Sequence, residues 1–134
     1  MFSIIKIASE TLTEHYNPSL FNYFYETFPH GLWVAEKLHK IVGFIVVAKT
    51  GCETARILML AISEKNRRQG IGSALLKNVL KEISTINIKH VELEVRKNNT
   101  RAIRFYQNHS FQVINVVAKF YQNGEDAYIM RLII

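Results

Sequence analysis

Cysteine, proline and glycine are all scarce in this chain, which has one cysteine, two prolines and six glycines among its 134 residues. The single cysteine, Cys52, cannot form an internal disulfide, and no Cys or His lies near it in sequence at the spacing of a metal ligand. The sequence therefore argues against a disulfide scaffold and against a zinc site, and we expect no metal cofactor.

Long apolar runs are missing as well. The longest candidate, Ile41–Ala48, is interrupted by Gly43, and it is much shorter than the roughly 18 to 20 residues that cross a bilayer. Met1–Ile7 has no basic region followed by a long apolar core, so it is not typical of a signal peptide. We therefore expect a cytoplasmic protein that does not act at a membrane.

The charge balance is basic, with 17 Lys and Arg residues against 11 Asp and Glu residues and a formal net charge of +6. Such an excess favours an acidic partner, for example a polyphosphate cofactor, RNA or a ribosomal surface. Only Lys65–Arg68 is dense, and elsewhere a merely solvated basic surface explains the charges equally well. Hydrophobic residues make up 49% of the chain, so residues 1–134 can form one domain with a real core.

The first half of the sequence predicts strands around one helix. A weak alternation at Ser3–Ile7 predicts a strand, and Asn17–Ser19 is typical of a helix start, with a proline near the first helical position. Pro29–Gly31 ends that helix. Three apolar, β-rich runs follow, of which the first two form a hairpin and the third is apolar on both faces: Leu32–Glu36, Lys40–Ala48 and Arg56–Ile62.

The second half begins with a change of the apolar period from two to about 3.6. Six apolar residues then share one stripe of a predicted helix: Ile71, Leu75, Leu76, Val79, Leu80 and Ile83. The next element, Val91–Arg96, alternates apolar and charged residues and predicts a strand with one buried face.

A further helix and two strands complete the chain. Asn99 or Thr100 can cap a helix that runs to about Asn108, and strands are expected at Gln112–Lys119 and Ala127–Ile133. The order of elements is typical of a mixed α/β domain in which an antiparallel meander precedes a β-α-β crossover.

The segment Arg67–Ser73 joins a predicted strand to a predicted helix. Its two glycines allow the backbone to approach a ligand closely, and the helix N-terminus offers unpaired N–H donors and a partial positive charge. A phosphate group fits such a junction, and Arg67 and Arg68 would add charge-assisted contacts. Taken alone, the segment is slightly better explained as an ordinary glycine turn. It is neither a nucleotide P-loop nor a dinucleotide fingerprint, because Gly-Lys-Ser/Thr and a third glycine are missing.

The pattern R-x-x-G-x-G in Arg67–Ser73 resembles the acetyl-CoA signature of the GCN5-related N-acetyltransferase (GNAT) superfamily. The resemblance continues through Leu93–Arg96, Asn99, Ala102, Phe105–Tyr106 and Ser110–Phe111. Phe120–Met130 is similar to one subgroup, the ribosomal-protein alanine N-acetyltransferases and the archaeal protein N-terminal acetyltransferases. The resemblance covers most of the chain and is specific from about Ile57 onward. Ser110, Glu64 and Phe120 depart from the residues usual in the family.

This resemblance implies a single acetyltransferase domain with the GNAT fold, a mixed and largely antiparallel sheet of six to seven strands flanked by about four helices. The implied reaction is direct transfer of acetyl from acetyl-CoA to the α-amine of a protein or peptide N-terminus, such as that of a ribosomal protein. The enzyme would be a monomer or homodimer, and nucleic acid is not expected as a direct substrate. The residues implied for the cofactor are Leu60, Ala61, Ile62, Arg67, Arg68, Gln69, Gly70, Ile71, Gly72, Ser73 and Asn99.

The same resemblance assigns the chemistry to two side chains. Glu94 would be the general base, and Tyr106 would support the thiolate leaving group. Each has an ordinary alternative, because Glu94 fits a solvated strand carboxylate paired with Arg96 or Lys97, and Tyr106 fits a core aromatic. Asn99 is equally well explained as a helix cap.

Tyr121 is the candidate for contact with the acceptor substrate, because the resemblance puts it in a loop that closes over a peptide N-terminus. Glu125 and Asp126 nearby would attract an ammonium group, although an ordinary polar turn explains the same residues equally well. The five histidines are dispersed, and we assign them no catalytic role: His15, His30, His39, His90 and His109.

Two other functions fit parts of the same pattern. A small-molecule amine, polyamine or lysine acetyltransferase would share the fold and the cofactor site. A basic RNA-binding or ribosome-binding module with a vestigial cofactor site would share the charge, although we see no basic face rich in aromatic residues.

Overall fold

A computed structural model describes residues 18–134, with side chains described from Asn22 onward. The strand expected at Ser3–Ile7 and the start of the first helix at Asn17 lie outside the described residues. No helix in the described range is long and apolar enough to cross a membrane.

Three α-helices and six strands make up the described part of the chain. In chain order they are α1 (Pro18–Thr27), β1 (Leu32–Lys37), β2 (Lys40–Lys49), β3 (Thr54–Ile62), α2 (Ile71–Ser84), β4 (His90–Arg96), α3 (Thr100–Asn108), β5 (Gln112–Val117) and β6 (Ala127–Ile133). The expected element order from α1 onward is confirmed. Within residues 18–134 there are three α-helices and two short 3₁₀ helices, Pro29–Gly31 and Glu64–Asn66, where about four helices were expected.

The strands form one sheet in the order β1-β2-β3-β4-β6-β5. Among the described strands, only β3 and β4 run parallel, and α2 is the crossover between them. The other neighbours are antiparallel. The expected mixed, largely antiparallel sheet is confirmed.

Two strand boundaries depend on backbone geometry that the residue types do not reveal. The β1–β2 turn places Leu38 and His39 at φ 52° and 66°, the left-handed region that tight hairpin turns require. β5 ends at Val117, two residues before the expected end, because Lys119 has φ 54° and its N–H donates to Asp126 Oδ1 at 3.0 Å.

The larger apolar core lies between one face of the sheet and the helices α2 and α3. Leu75, Leu76, Val79 and Ile83 of α2 are buried there, as their helical stripe predicted. Val91, Leu93 and Val95 of β4 face the same core, so the alternating Glu92, Glu94 and Arg96 lie on the opposite face of the sheet. A smaller cluster on that opposite face contains Phe44, Val46, Met59 and Ala61, with Phe24 of α1 packed against it.

A β-bulge divides β3 into two parts. Val46 of β2 pairs with Met59 and Val47 pairs with Ile57, so Leu58 is skipped in the pairing. The extra residue shifts the alternation, and Ile57 therefore faces the larger core whereas Met59 faces the smaller cluster. β3 thus packs apolar side chains on both faces, as its sequence predicted.

The sheet opens between β3 and β4 just beyond this bulge. Their parallel pairing covers only Thr54–Ile57 against His90–Leu93. Past that point β3 stays paired with β2 up to Ile62, and β4 stays paired with β6 up to Arg96. The two halves of the sheet therefore diverge, and the carboxyl ends of β3 and β4 border an opening.

Candidate active site

The segment Arg67–Ser73 follows β3, whose carboxyl end borders this opening, and leads into α2. Gly70 precedes the helix with φ 80°, and its carbonyl accepts the N–H of Ala74 at 3.0 Å. Because glycine has no side chain to cap the helix, the N–H groups at the start of α2 face the space in front of the helix. This end of the helix carries a partial positive charge, which favours an anion.

A cavity of about 510 Å³ begins at this helix end and runs between the carboxyl end of β3 and one side of α3. It is lined by all the predicted cofactor residues except Gln69, which are Leu60, Ala61, Ile62, Arg67, Arg68, Gly70, Ile71, Gly72, Ser73 and Asn99. Tyr106 also lines it. Residues that lie far apart in sequence are therefore brought together around one concave site, as an elongated ligand requires.

Two side chains hold the segment against the sheet. Arg67 Nε donates to the carbonyl of Ile62 at 3.1 Å, which fixes the loop to the end of β3. Gln69 contacts a different part of the sheet, since its Oε1 accepts from Lys37 Nζ at 3.0 Å on the β1–β2 hairpin. The side chain of Gln69 therefore links the loop to the hairpin, and its contact with the cofactor stays a prediction.

Asn99 caps a helix and also lies in the wall of the cavity, while its contact with the cofactor stays a prediction. Its Oδ1 accepts the N–H of Ala102 at 3.1 Å and so caps α3. The same residue lines the cavity. The cap fixes the start of α3, and α3 in turn presents Tyr106 to the cavity.

Four lining residues were not anticipated from the sequence: Asn66, Arg101, Ala102 and Phe105. Three of them lie on the side of α3 that continues from the Asn99 cap. The spacing of Arg101 and Phe105, one helical turn apart, is the signal that would have placed both on one side of this helix.

Tyr106 lines the cavity and is buried in the larger core. Its ring packs edge to face against Phe105 and Phe111, with centroids 5.1 Å and 5.4 Å apart. Burial raises the pKa of Tyr106 well above its ordinary value, because the low-dielectric surroundings disfavour the phenolate. The tyrosine is therefore both a core aromatic and a protonated donor that lines the cavity.

Glu94 lies on β4, on the opposite face of the sheet from Tyr106. Its side chain is 16% exposed, and its Oε1 is 2.7 Å from Arg56 Nη1 on β3. The sequence had suggested Arg96 or Lys97 as its structural partner. The partner is Arg56, which is in register with Glu92 and reaches diagonally to Glu94, just beyond the last paired position of β3 and β4. The two candidate catalytic side chains are on different faces, and the opening between β3 and β4 lies between those faces.

Tyr121 lies in the β5–β6 loop and stacks against Arg96, whose Cζ is 4.0 Å from the ring centroid. Arg96 Nη1 also donates to Glu125 Oε2 at 3.0 Å, which holds the loop against the end of β4. Asp126 accepts the N–H of Lys119. Both acidic residues expected to attract an ammonium group therefore have partners within the protein.

A contact between Ser73 and His109 was not anticipated. Ser73 Oγ lies 3.0 Å from His109 Nε2, which joins the start of α2 to the end of α3 beside the cavity. The pKa of His109 is lowered, chiefly by burial and secondarily by the positive charge of Lys77. The two residues are 36 positions apart, and no local pattern links them.

Comparison with known proteins identifies the family. The model of the Acetyltransferase (GNAT) family matches residues 1–111. An N-alpha-acetyltransferase of Sulfurisphaera tokodaii is 32% identical over 139 residues, a match that spans 95% of this chain and 83% of the relative. The structure of Ard1 from Thermoplasma volcanium has a TM-score of 0.94 at 36% identity, over 99% of this chain and 90% of that one.

The chain belongs to the GNAT acetyltransferase family and is an N-acetyltransferase. A GNAT acetyltransferase from Elizabethkingia anophelis, solved with acetyl-CoA bound, shares the fold with a TM-score of 0.75 at 24% identity, over 88% of this chain and 84% of that one. Among residues 18–134, no three His, Cys, Asp or Glu side chains cluster in a way that would hold a metal ion.

Replacing His109 with Gln tests whether the folded protein disfavours the protonated imidazole of His109. The folded protein disfavours the charged imidazole, so below about pH 6.5 the unfolded chain takes up the proton first. We expect the wild type to lose stability relative to His109→Gln as the pH falls through this region. Above it the difference between the two proteins should be constant. Melting temperatures between pH 5 and 8 measure the effect, and parallel curves across the whole range would show that the histidine titrates normally.

Proposed function

We propose that the protein transfers acetyl from acetyl-CoA to the N-terminal α-amine of a protein or peptide by direct attack of that amine. The observation that carries the proposal is the continuous cavity from the start of α2, past the end of β3, to Tyr106. Relatives named N-alpha-acetyltransferases that match nearly the whole chain support the same acceptor. The narrower class, ribosomal-protein alanine acetylation in the cytoplasm, stays a prediction.

The residues along this cavity fit acetyl-CoA. Arg67, Arg68 and the N–H groups of residues 70–73 would hold the pyrophosphate, and the apolar end of β3 at Leu60–Ile62 would border the thioester end. Backbone N–H groups at the end of β3 are the donors available to polarise the thioester carbonyl, since the pairing with β4 has already ended there. The cosubstrate supplies the activated acetyl group and a thiolate leaving group.

A protein α-amine needs little help to react. Its ordinary pKa is about 8, compared with about 10.4 for lysine, so roughly a tenth of α-amines are already neutral at pH 7. Glu94 is on the face of the sheet opposite Tyr106, and we place the acceptor amine on that face. Its carboxylate would take the amine's proton directly or through one water. A lysine substrate would demand a much stronger base.

Tyr106 would act on the leaving group as a hydrogen-bond donor. A thiol with an ordinary pKa near 8.5 is already about 2 kcal/mol more acidic than an ordinary tyrosine. Since burial raises the pKa of Tyr106 further, full proton transfer to the thiolate would cost more than that. We therefore assign Tyr106 to stabilising the developing thiolate while keeping its own proton.

The acceptor class is tested with a mixed pool. Peptides with a free N-terminus and no lysine, peptides with a blocked N-terminus and one lysine, and polyamines would be incubated together with acetyl-CoA. Mass spectrometry then follows each product. We expect acetyl groups on the free N-termini alone, and equal rates on blocked lysine peptides or polyamines would contradict the proposal in favour of another acceptor.

Replacing Gly70 with Asp tests the assignment of the pyrophosphate. Asp tolerates a positive φ and can cap α2, so the fold should be kept, but its charge would repel a phosphate at the helix end. Losing one charge-assisted hydrogen bond costs about 1.5–3 kcal/mol, so acetyl-CoA affinity should fall about 10- to 100-fold. Calorimetry measures it. Gly70→Asn is the matched control, because it has the same shape and the same capacity to cap α2 without the charge, and it should lose clearly less affinity than Gly70→Asp.

Replacing Tyr106 with Phe tests the thiolate role. The ring and its packing against Phe105 and Phe111 are kept, and only the hydroxyl is lost. Removing a donor to an oxyanion typically lowers kcat about 10²- to 10³-fold, and we expect a loss approaching that size with little change in acetyl-CoA affinity. Full kcat in the variant would leave the tyrosine with a packing role only.

A further inference from the structure

The face of the sheet opposite α2 and α3 carries three ion pairs along β4. Three charged β4 residues on this face each contact a side chain of opposite charge: Glu92 with Arg131 at 3.2 Å, Glu94 with Arg56 at 2.7 Å, and Arg96 with Glu125 at 3.0 Å. Two of the partners lie on the β6 side of β4. Arg56 is the one that comes from β3, across the line where the sheet opens.

The position of Arg56 is set by the strand register. Its Cα lies opposite that of Glu92, but Glu92 is directly opposite Arg131 of β6 and pairs with it. The guanidinium of Arg56 instead reaches diagonally to Glu94, two residues further along β4. Glu94 is the first β4 residue beyond the last paired position, Ile57 with Leu93. The Arg56–Glu94 pair therefore spans the point where β3 and β4 diverge.

We propose that Arg56 is a positioning residue that holds the Glu94 carboxylate for proton abstraction from the acceptor amine. This proposal rests on the function proposed above, in which Glu94 is the base. Glu94 has no β3 residue in register with it, so nothing in the strand pairing on that side fixes its side chain. The contact with Arg56 Nη1 occupies Oε1. Oε2 is then the oxygen that accepts the proton as the N–H bond of the ammonium breaks.

The exposure of the two partners suits this division of roles. The Glu94 side chain is 16% exposed and that of Arg56 is 40% exposed. The arginine can therefore stay partly hydrated while it fixes a mostly buried carboxylate.

A double-mutant cycle tests the proposal. The variants are Arg56→Met, Glu94→Gln and the double variant, assayed with whichever amine the wild type acetylates fastest. We expect Arg56→Met to lower kcat about tenfold, while the KM for the peptide and the affinity for acetyl-CoA change less than about twofold. Glu94→Gln should lower kcat more. In the Glu94→Gln background, Arg56→Met should have no further effect, because the group that it positions is gone.

Two further variants separate positioning from a merely structural brace. Arg56→Lys keeps the charge and should restore part of the lost kcat. Arg131→Met breaks the neighbouring Glu92–Arg131 pair on the same face and is the matched control, so it should leave kcat within about twofold of the wild type. Melting temperatures of all variants identify any that do not fold. If Arg56→Met does not fold, the kcat of Arg56→Lys is compared with that of Arg131→Met instead.

Three results would overturn the inference. One is additivity of the two substitutions, one is an equal loss of kcat in Arg131→Met, and one is full kcat in Glu94→Gln. Failure of the proposed function looks different, because it appears in the wild type as acetylation of lysine or polyamine in preference to free N-termini. The cycle can then still be scored on that substrate.

Discussion

The interruption of hydrogen bonding between β3 and β4 is the constraint on which the site depends. The two strands pair over four residues each and then separate, while each keeps its other neighbour. A sheet that stayed paired to the ends of both strands would leave no passage between its faces and no unpaired N–H groups at the end of β3. The bulge at Leu58 occurs at the same level and changes the face to which each later β3 side chain points. The last residues of β3 therefore line a cavity, and their backbone does not continue the pairing with β4.

Short-range patterns in the sequence, together with the family resemblance, were enough to predict most of the residues that line the cavity. The strand, the glycine segment and the amphipathic helix are visible from local chemistry, but Arg67–Ser73 taken alone fits an ordinary glycine turn, and the resemblance was needed to assign it to the cofactor. The cap at Asn99 is visible from local chemistry as well, because a cap acts on residues three positions away. The order of helices and strands along the chain followed from the periodicity of apolar residues.

Contacts between distant residues could not be predicted. The Arg56–Glu94 pair depends on the register of two parallel strands, β3 and β4, which α2 separates in sequence. Ser73 contacts His109 only because α2 and α3 pack on the same face of the sheet. Neither contact leaves a periodic signal. In the sequence, Glu125 and Asp126 fit a substrate-facing acidic pair and an ordinary polar turn equally well, and the fold gives their side chains partners in Arg96 and the backbone of Lys119. Charge in a sequence indicates what a residue can pair with, and the fold decides which partner it has.

The separation of Glu94 and Tyr106 onto opposite faces of the sheet has a consequence for how such an enzyme can diversify. Under the proposed function, the wall that would meet the acetyl donor and the wall that would meet the acceptor are built on different sides of the same strands. Because neighbouring side chains of a strand point to opposite faces, substitutions on the acceptor side would leave the side chains on the donor side in place, so acceptor preference could change while donor recognition is kept. A backbone opening, unlike a pocket carved by particular side chains, is also retained as those side chains change. This modularity makes the scaffold a favourable starting point for engineering acceptor selectivity.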